Sequence, residues 1–237
     1  MYDPRQHLIV ALDVSSAAAA QRIVAAVGDS ALTYKVGMQL FTAEGPGVVR
    51  DLVASGRRVF LDLKYHDIPT TVAAAVREAA ELRVSMLTVH AAGGAKMLRA
   101  AVDAAHSVNP ALMVLGVTVL TSMDDHDLDK VGVHSPVVDQ VLRLASLAIS
   151  NGCQGVVASA LEASELRLKL GDHFLIVTPG VRPAGKDHGD QSRVVTPAEA
   201  IAAGSTYIVV GRPITAAPNP GAEARSILDQ MSLAVSA

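Results

Sequence analysis

The chain has 237 residues, a formal net charge of −3 and a pI near 6.2, which gives no electrostatic reason to expect nucleic acid as a partner. Half of the residues are hydrophobic, only 3% are aromatic and tryptophan is absent, so the core must be built from Ala, Val, Leu and Ile in close helix-on-sheet layers. Mean hydropathy is positive at +0.34, but no uncharged apolar run approaches the roughly 20 residues needed to span a membrane.

The opening Met1-Tyr2-Asp3-Pro4-Arg5 is polar and lacks the apolar stretch of a secretory signal. The single cysteine, Cys153, excludes an internal disulfide framework, reads as a small buried hydrophobe and fits the reducing cytoplasm, the expected location.

The first apolar run, Leu8 to Leu12, closes on Asp13, and Ser15-Ser16 then caps an Ala-rich helix ended by Gly28. Tyr34-Lys35-Val36-Gly37 is a second strand, and Ala43 to Ser55 reads as one helix stopped by Gly56. Val59-Phe60-Leu61 leads into Asp62-Leu63-Lys64-Tyr65-His66-Asp67-Ile68-Pro69, the end of a third strand and the loop beyond. Residues two apart in a strand share a face, so Asp62 and Lys64 point the same way. Thr71 to Leu82 is helical. Val84 to Val89 is a fourth strand ending on His90, and Ala95 to His106 is a helix.

Leu112 to Leu120 is nearly continuous in apolar residues, as expected for a strand covered on both faces. Thr121-Ser122 ends it. The acidic stretch from Asp124 to Asp129 reads as a solvated loop, and Pro136 to Ser150 as a helix. Gln154 to Ala158 and Phe174 to Val177 are strands six and seven, flanking a helix from Leu161 to Leu170. The long polar stretch from Thr178 to Ser192 reads as a loop, of a length that in compact domains is usually a functional lid or disordered. Thr196-Pro197-Ala198-Glu199 is a capping box opening a helix that Gly204 ends. Tyr207 to Val210 is the eighth strand, and the last helix runs from about Gly221 to Leu233.

Eight strand-then-helix units without a composition break predict a closed (β/α)8 barrel, one domain over 1–237. An open doubly wound sheet fits less well, because no G-x-G-x-x-G follows the first strand. Asp13, Lys35, Asp62, Lys64, His90, Thr121, Arg182 and Arg212 all fall at or just after strand ends. In such barrels that C-terminal rim holds the active site, and the loops after strands 7 and 8 often bind phosphate. Gly180 and Gly211 allow backbone N–H groups close to an anion, and Arg212 adds charge. A phosphorylated small molecule is the expected ligand. Asp62 and Asp67 could hold a divalent metal with His66 or His90, but two lysines in the same site oppose this, since like charges 4 Å apart cost about 4 kcal/mol at an effective dielectric of 20. The site is read as metal-free.

These residues also carry a resemblance. Ala11-Leu12-Asp13, Lys35-Val36-Gly37, Asp62-x-Lys64-x-x-Asp67-Ile68-Pro69-x-Thr71, Val117 to Ser122, Thr178 to Pro183, Gly189 to Arg193 and Val209 to Ile214 together resemble the bacterial-type orotidine 5′-phosphate decarboxylase family over essentially the full length. The D-x-K-x-x-D core is shared with sister phosphosugar enzymes, which place an acidic residue where Lys35 stands; the combination with Lys35 and the segment 189–193 is highly specific. The resemblance implies cofactor-free decarboxylation of orotidine 5′-phosphate to uridine 5′-monophosphate, the last step of de novo pyrimidine synthesis. Lys35, Asp62, Lys64 and Asp67 form a charged tetrad in which Lys64 protonates C6 of the pyrimidine and Asp62 lies against the substrate carboxylate. Asp13 and Lys35 hold the ribose hydroxyls, and Thr121 or Ser122 lies at the pyrimidine edge. Arg182, Gly211 and Arg212 bind the phosphate, and Gln191, on a lid over 180–191, spans phosphate and base. The family is homodimeric, with Asp67 and Thr71 serving the partner's site.

Overall fold

The computed structural model describes residues 2–183 and 195–236. Its strands are β1 (Leu8–Ala11), β2 (Thr33–Gly37), β3 (Arg58–Tyr65), β4 (Met86–His90), β5 (Met113–Val117), β6 (Gly155–Val157), β7 (Leu175–Thr178) and β8 (Tyr207–Val210). Each pairs in parallel with the next, and β8 returns to β1 with Val10 opposite Val210. The result is the expected (β/α)8 barrel. Its helices are α1 (Ala17–Val27), α2 (Met38–Glu44), α3 (Gly47–Ala54), α4 (Pro69–Glu81), α5 (Gly94–Val108), α6 (Asp125–Lys130), α7 (Val137–Ser150), α8 (Ala160–Leu170), α9 (Pro197–Ala202), α10 (Arg212–Thr215) and α11 (Pro220–Ser236).

Alternation along each strand divides the apolar residues into two layers. Ile9, Ala11, Phe60, Met86, Leu115, Val177 and Val209 pack inside the barrel. Their neighbours Leu8, Val10, Leu61, Leu87, Val114 and Ile208 face the helices, meeting Val72, Val76, Leu98 and Leu144. Both faces are covered, so the strands read as continuous apolar runs. Burying each such side chain contributes roughly 1.5–3 kcal/mol. Between neighbouring strands β6 and β7, a Cβ on Gly155 would lie 2.4 Å from the backbone carbonyl oxygen of Leu175, which no rotamer change relieves. At the opposite end of the barrel, Tyr2 stacks on His7 with ring centroids 4.7 Å apart, and His7 lies against Tyr207.

Three sequence expectations are corrected. The helix expected over 43–55 is two: α2 stops at Glu44 because Gly45 takes a φ of +64°, and Pro46, lacking an N–H, starts α3 in a new direction. The acidic stretch from Asp124 to Asp129 contains α6 rather than a solvated loop. Asp124 and Asp127 form a reciprocal capping box there, and carboxylates in a first turn complement the helix dipole. The fifth strand ends at Val117, not Leu120; Thr118, just beyond it, still directs its backbone N–H and its hydroxyl to the Val157 carbonyl of β6.

Candidate active site

At the C-terminal ends of the strands lies a cavity of about 410 Å³. Ala11, Phe60, Val177 and Val209, from the interior layer, line it together with Val117, Val119 and Val157. The polar wall carries Asp13, Lys35, Asp62, Lys64, Thr121, Arg182, Gly211 and Arg212. Residues spread over 200 positions in sequence are brought together because each follows or ends a strand of a closed ring.

On one side the charges alternate in a chain. Lys35 Nζ, on β2, donates to Asp13 Oδ1 at 2.7 Å and lies 3.9 Å from Asp62 Oδ2. Lys64 Nζ lies 2.9 Å from each Asp62 carboxylate oxygen. The Lys35 side chain is 11% exposed and that of Asp62 13%; groups so withdrawn from water need partners, since an unpaired buried ion costs several kcal/mol. Gly37 is shaped to this arrangement: a Cβ there would fall 2.9 Å from Lys35 Nζ and 3.3 Å from Asp13 Oδ1.

The Asp62–Lys64 segment departs from regular strand. Leu61 pairs with Leu87 and Tyr65 with Val89, so four steps along β3 face two along β4. Lys64 absorbs the excess with a φ of +52°, a conformation that costs a non-glycine residue about 1–3 kcal/mol. Side-chain alternation survives the bulge: Leu63 and Tyr65 pack toward the helix layer, while Asp62 and Lys64 face the cavity. Thr88, on β4 and fully buried, bonds both residues, and sequence reading passed over it. Its signal was a polar residue inside the apolar run Met86–Val89, two positions before His90.

Across the cavity, Pro179, Gly180 and Arg182 follow β7, and Gly211 and Arg212 follow β8. Gly180 has a φ of +77°, which glycine adopts without a Cβ penalty. Arg182 is buried, and its N–H donates to the Val195 carbonyl. Of the two hydroxyl residues in the loop beyond β5, Thr121 lines the cavity, whereas Ser122 is exposed and does not.

Asp67 and Thr71 are exposed and do not line this cavity; Asp67 Oδ1 accepts the Ile68 N–H at 2.6 Å. Gln191 and the segment 189–193 lie outside the described residues. His66 and His90 stack with ring centroids 5.0 Å apart. Burial, with His66 and Lys64 adding repulsion, holds the His90 imidazole below its usual range. Among the described residues no three His, Cys, Asp or Glu side chains are grouped to hold a metal ion, and no helix is long and apolar enough to cross a membrane.

A (β/α)8 barrel with alternating carboxylates and ammonium groups on one side of its C-terminal cavity and arginines on the other belongs to the class of barrel enzymes. The sequence matches the family described as "Orotidine 5′-phosphate decarboxylase / HUMPS family" over residues 6–227. It is 50% identical over 235 residues to an orotidine 5′-phosphate decarboxylase of Moorella thermoacetica, covering 97% of this chain and 93% of that one. It is 51% identical over 224 residues to one of Anaeromyxobacter dehalogenans, covering 94% and 97%. The crystal structure of orotidine 5′-phosphate decarboxylase from Lactobacillus acidophilus superposes with a TM-score of 0.85 at 39% identity, covering 95% of this chain and 98% of that one. The chain therefore belongs to the orotidine 5′-phosphate decarboxylase / HUMPS family.

Proposed function

We propose that this protein decarboxylates orotidine 5′-phosphate to uridine 5′-monophosphate, the last step of de novo pyrimidine synthesis, in the cytoplasm and without metal or cofactor. The whole chain, 1–237, acts as one domain with its active site at the C-terminal rim of the barrel. The observation that carries this reading is the double 2.9 Å contact of Lys64 Nζ with Asp62 on the cavity wall, in a chain whose relatives bear that activity in their names.

Loss of carbon dioxide leaves an electron pair on C6 of the pyrimidine with no ring system positioned to absorb it. A fixed cation beside that carbon stabilises the developing charge without solvent reorganisation. Lys64 supplies the cation and then donates a proton to C6. Asp62 faces the departing carboxylate, and their repulsion is relieved as the bond breaks. Lys35 and Asp13 take the ribose hydroxyls, Thr121 the pyrimidine edge, and Arg182, Gly211 and Arg212 the phosphate. Gln191 keeps the role that the resemblance gives it, between phosphate and base. Binding energy from the phosphate end is thereby available to organise the reacting end.

Two copies of the chain form the working unit, Asp67 and Thr71 of each completing the other's site. In support, both residues are exposed beside Ile68, itself 64% exposed, and neither reaches the cavity of its own chain.

The test is the absorbance change on adding orotidine 5′-phosphate to purified protein, with and without EDTA. Equal rates in both support the reading. Loss of activity with EDTA, or turnover of a hexulose 6-phosphate instead, would move the protein to the phosphosugar branch. Binding of uridine 5′-monophosphate without turnover would make it a non-catalytic nucleotide-binding relative.

A further inference from the structure

The Thr88 hydroxyl sits inside a closed ring of contacts. The backbone N–H of Lys64 donates to Thr88 Oγ1 at 2.9 Å. Thr88 Oγ1 donates in turn to Asp62 Oδ1 at 3.0 Å. The same carboxylate oxygen receives Lys64 Nζ at 2.9 Å, so the ring leaves the lysine through its main chain and returns through its side chain.

The hydroxyl is well suited to this place. By the alternation of β3 the Lys64 N–H would face β2, whose pairing ends with Gly37 opposite Asp62. The register shift between Leu61 and Tyr65 takes it out of regular pairing, and the Thr88 hydroxyl on β4 receives it. A hydroxyl can accept the displaced N–H and still donate its own proton to a carboxylate. Each bond polarises the next within a buried site. Thr88 is fully buried and holds its register on β5, opposite Leu115, so its oxygen is anchored by the rigid part of the barrel. Asp62 is thereby held from the side opposite Lys35, and Lys64 is retained at a positive φ that its own side chain disfavours.

We infer that Thr88 is the positioning residue of the reaction: its hydroxyl sets the Lys64 ammonium and the Asp62 carboxylate in reacting geometry and touches no substrate atom itself. The kinetic part of this inference rests on the decarboxylase reading above; the structural part does not. The discriminating pair is Thr88→Val, which keeps the shape and removes the hydroxyl, and Thr88→Ser, which keeps the hydroxyl and removes the methyl.

Losing the hydroxyl unpairs the Lys64 N–H and removes one of the two bonds that Asp62 Oδ1 accepts, so kcat per ligand-binding site in Thr88→Val should fall about 10–100-fold. Affinity for uridine 5′-monophosphate should change by less than about threefold, because ribose and phosphate contacts lie elsewhere. Thr88→Ser should restore most of kcat. A crystal structure of Thr88→Val should show Lys64 Nζ withdrawn from Asp62 or its φ returned to negative values. A wild-type kcat in Thr88→Val, or equal losses in Val and Ser, would overturn the inference. If Thr88→Val does not fold, Thr88→Ala takes its place, with the same loss relative to serine expected. Should the wild-type protein fail to turn over orotidine 5′-phosphate, the decarboxylase reading falls. The crystal structure then decides alone: Lys64 unmoved in Thr88→Val would overturn the positioning role.

Discussion

Lys35 Nζ and Asp13 Oδ1 meet at 2.7 Å between the ends of adjacent strands, and the space that admits them is the missing side chain of Gly37. A Cβ at Gly37 would lie 2.9 Å from that ammonium. The backbone there is extended, so an alanine is conformationally acceptable and the whole effect falls on the lysine. Gly37→Ala should weaken uridine 5′-monophosphate binding about tenfold, the worth of one charge-assisted hydrogen bond, while Tm moves by less than about 3 °C. Isothermal titration and a thermal melt on the same sample check both halves. Unchanged affinity would detach the Lys35–Asp13 pair from ribose binding.

Removal of the Lys64 ammonium takes away the proposed proton donor and the cation together. Lys64→Ala should lower kcat by about 10⁴-fold or more, with most of the affinity for uridine 5′-monophosphate retained. Appreciable residual decarboxylation in a preparation free of wild-type protein would take Lys64 out of its role.

Sharing of sites between two copies is tested by mixing two inactive proteins. Asp62→Ala and Asp67→Ala subunits, unfolded together and refolded at equal amounts, should regain about a quarter of wild-type activity, since half of the dimers are hybrids with one intact site each. Hybrids demonstrated by mass spectrometry yet inactive would place Asp67 outside the partner's site.

The pH dependence of the fold is expected to carry a contribution from His90. Its folded pKa is lowered from 6.5 by burial, with His66 and Lys64 close by. The unfolded chain therefore takes up a proton at a higher pH than the native one does. Stability is fully present above pH 6.5 and is lost as pH falls through the native pKa. Ring resonances followed by NMR should give His90 a midpoint below 6.5, and the urea midpoint should decline over the same interval. A His90 midpoint at or above 6.5 would contradict the buried, repelled environment described.

How far the sequence could be read depended on the range of the forces involved. The barrel was legible because the strands are largely apolar on both faces and several helices carry local stop signals, as at Gly28, Gly171 and Gly204. Asp13, Lys35, Asp62 and Lys64 were legible because strand ends of a barrel share one rim. Local competition was harder to weigh: Gly45-Pro46 divides one expected helix into two, and the capping box of Asp124 with Asp127 turns an acidic loop into α6.

By itself, then, the sequence determined the fold and the identity of the charged groups, which follow from residue type and periodicity along the chain, and its motifs carried the resemblance to the family. Tertiary structure alone decided the order in which those charges touch, Asp13 to Lys35 to Asp62 to Lys64, and the choice of Thr121 over Ser122 at the cavity wall. It also decided the place of Thr88. That residue stands 24 positions from Lys64 and 26 from Asp62, and it reaches them only because β3 is bulged against β4. Register between two strands depends on the packing of both, and no reading of either strand alone contains it.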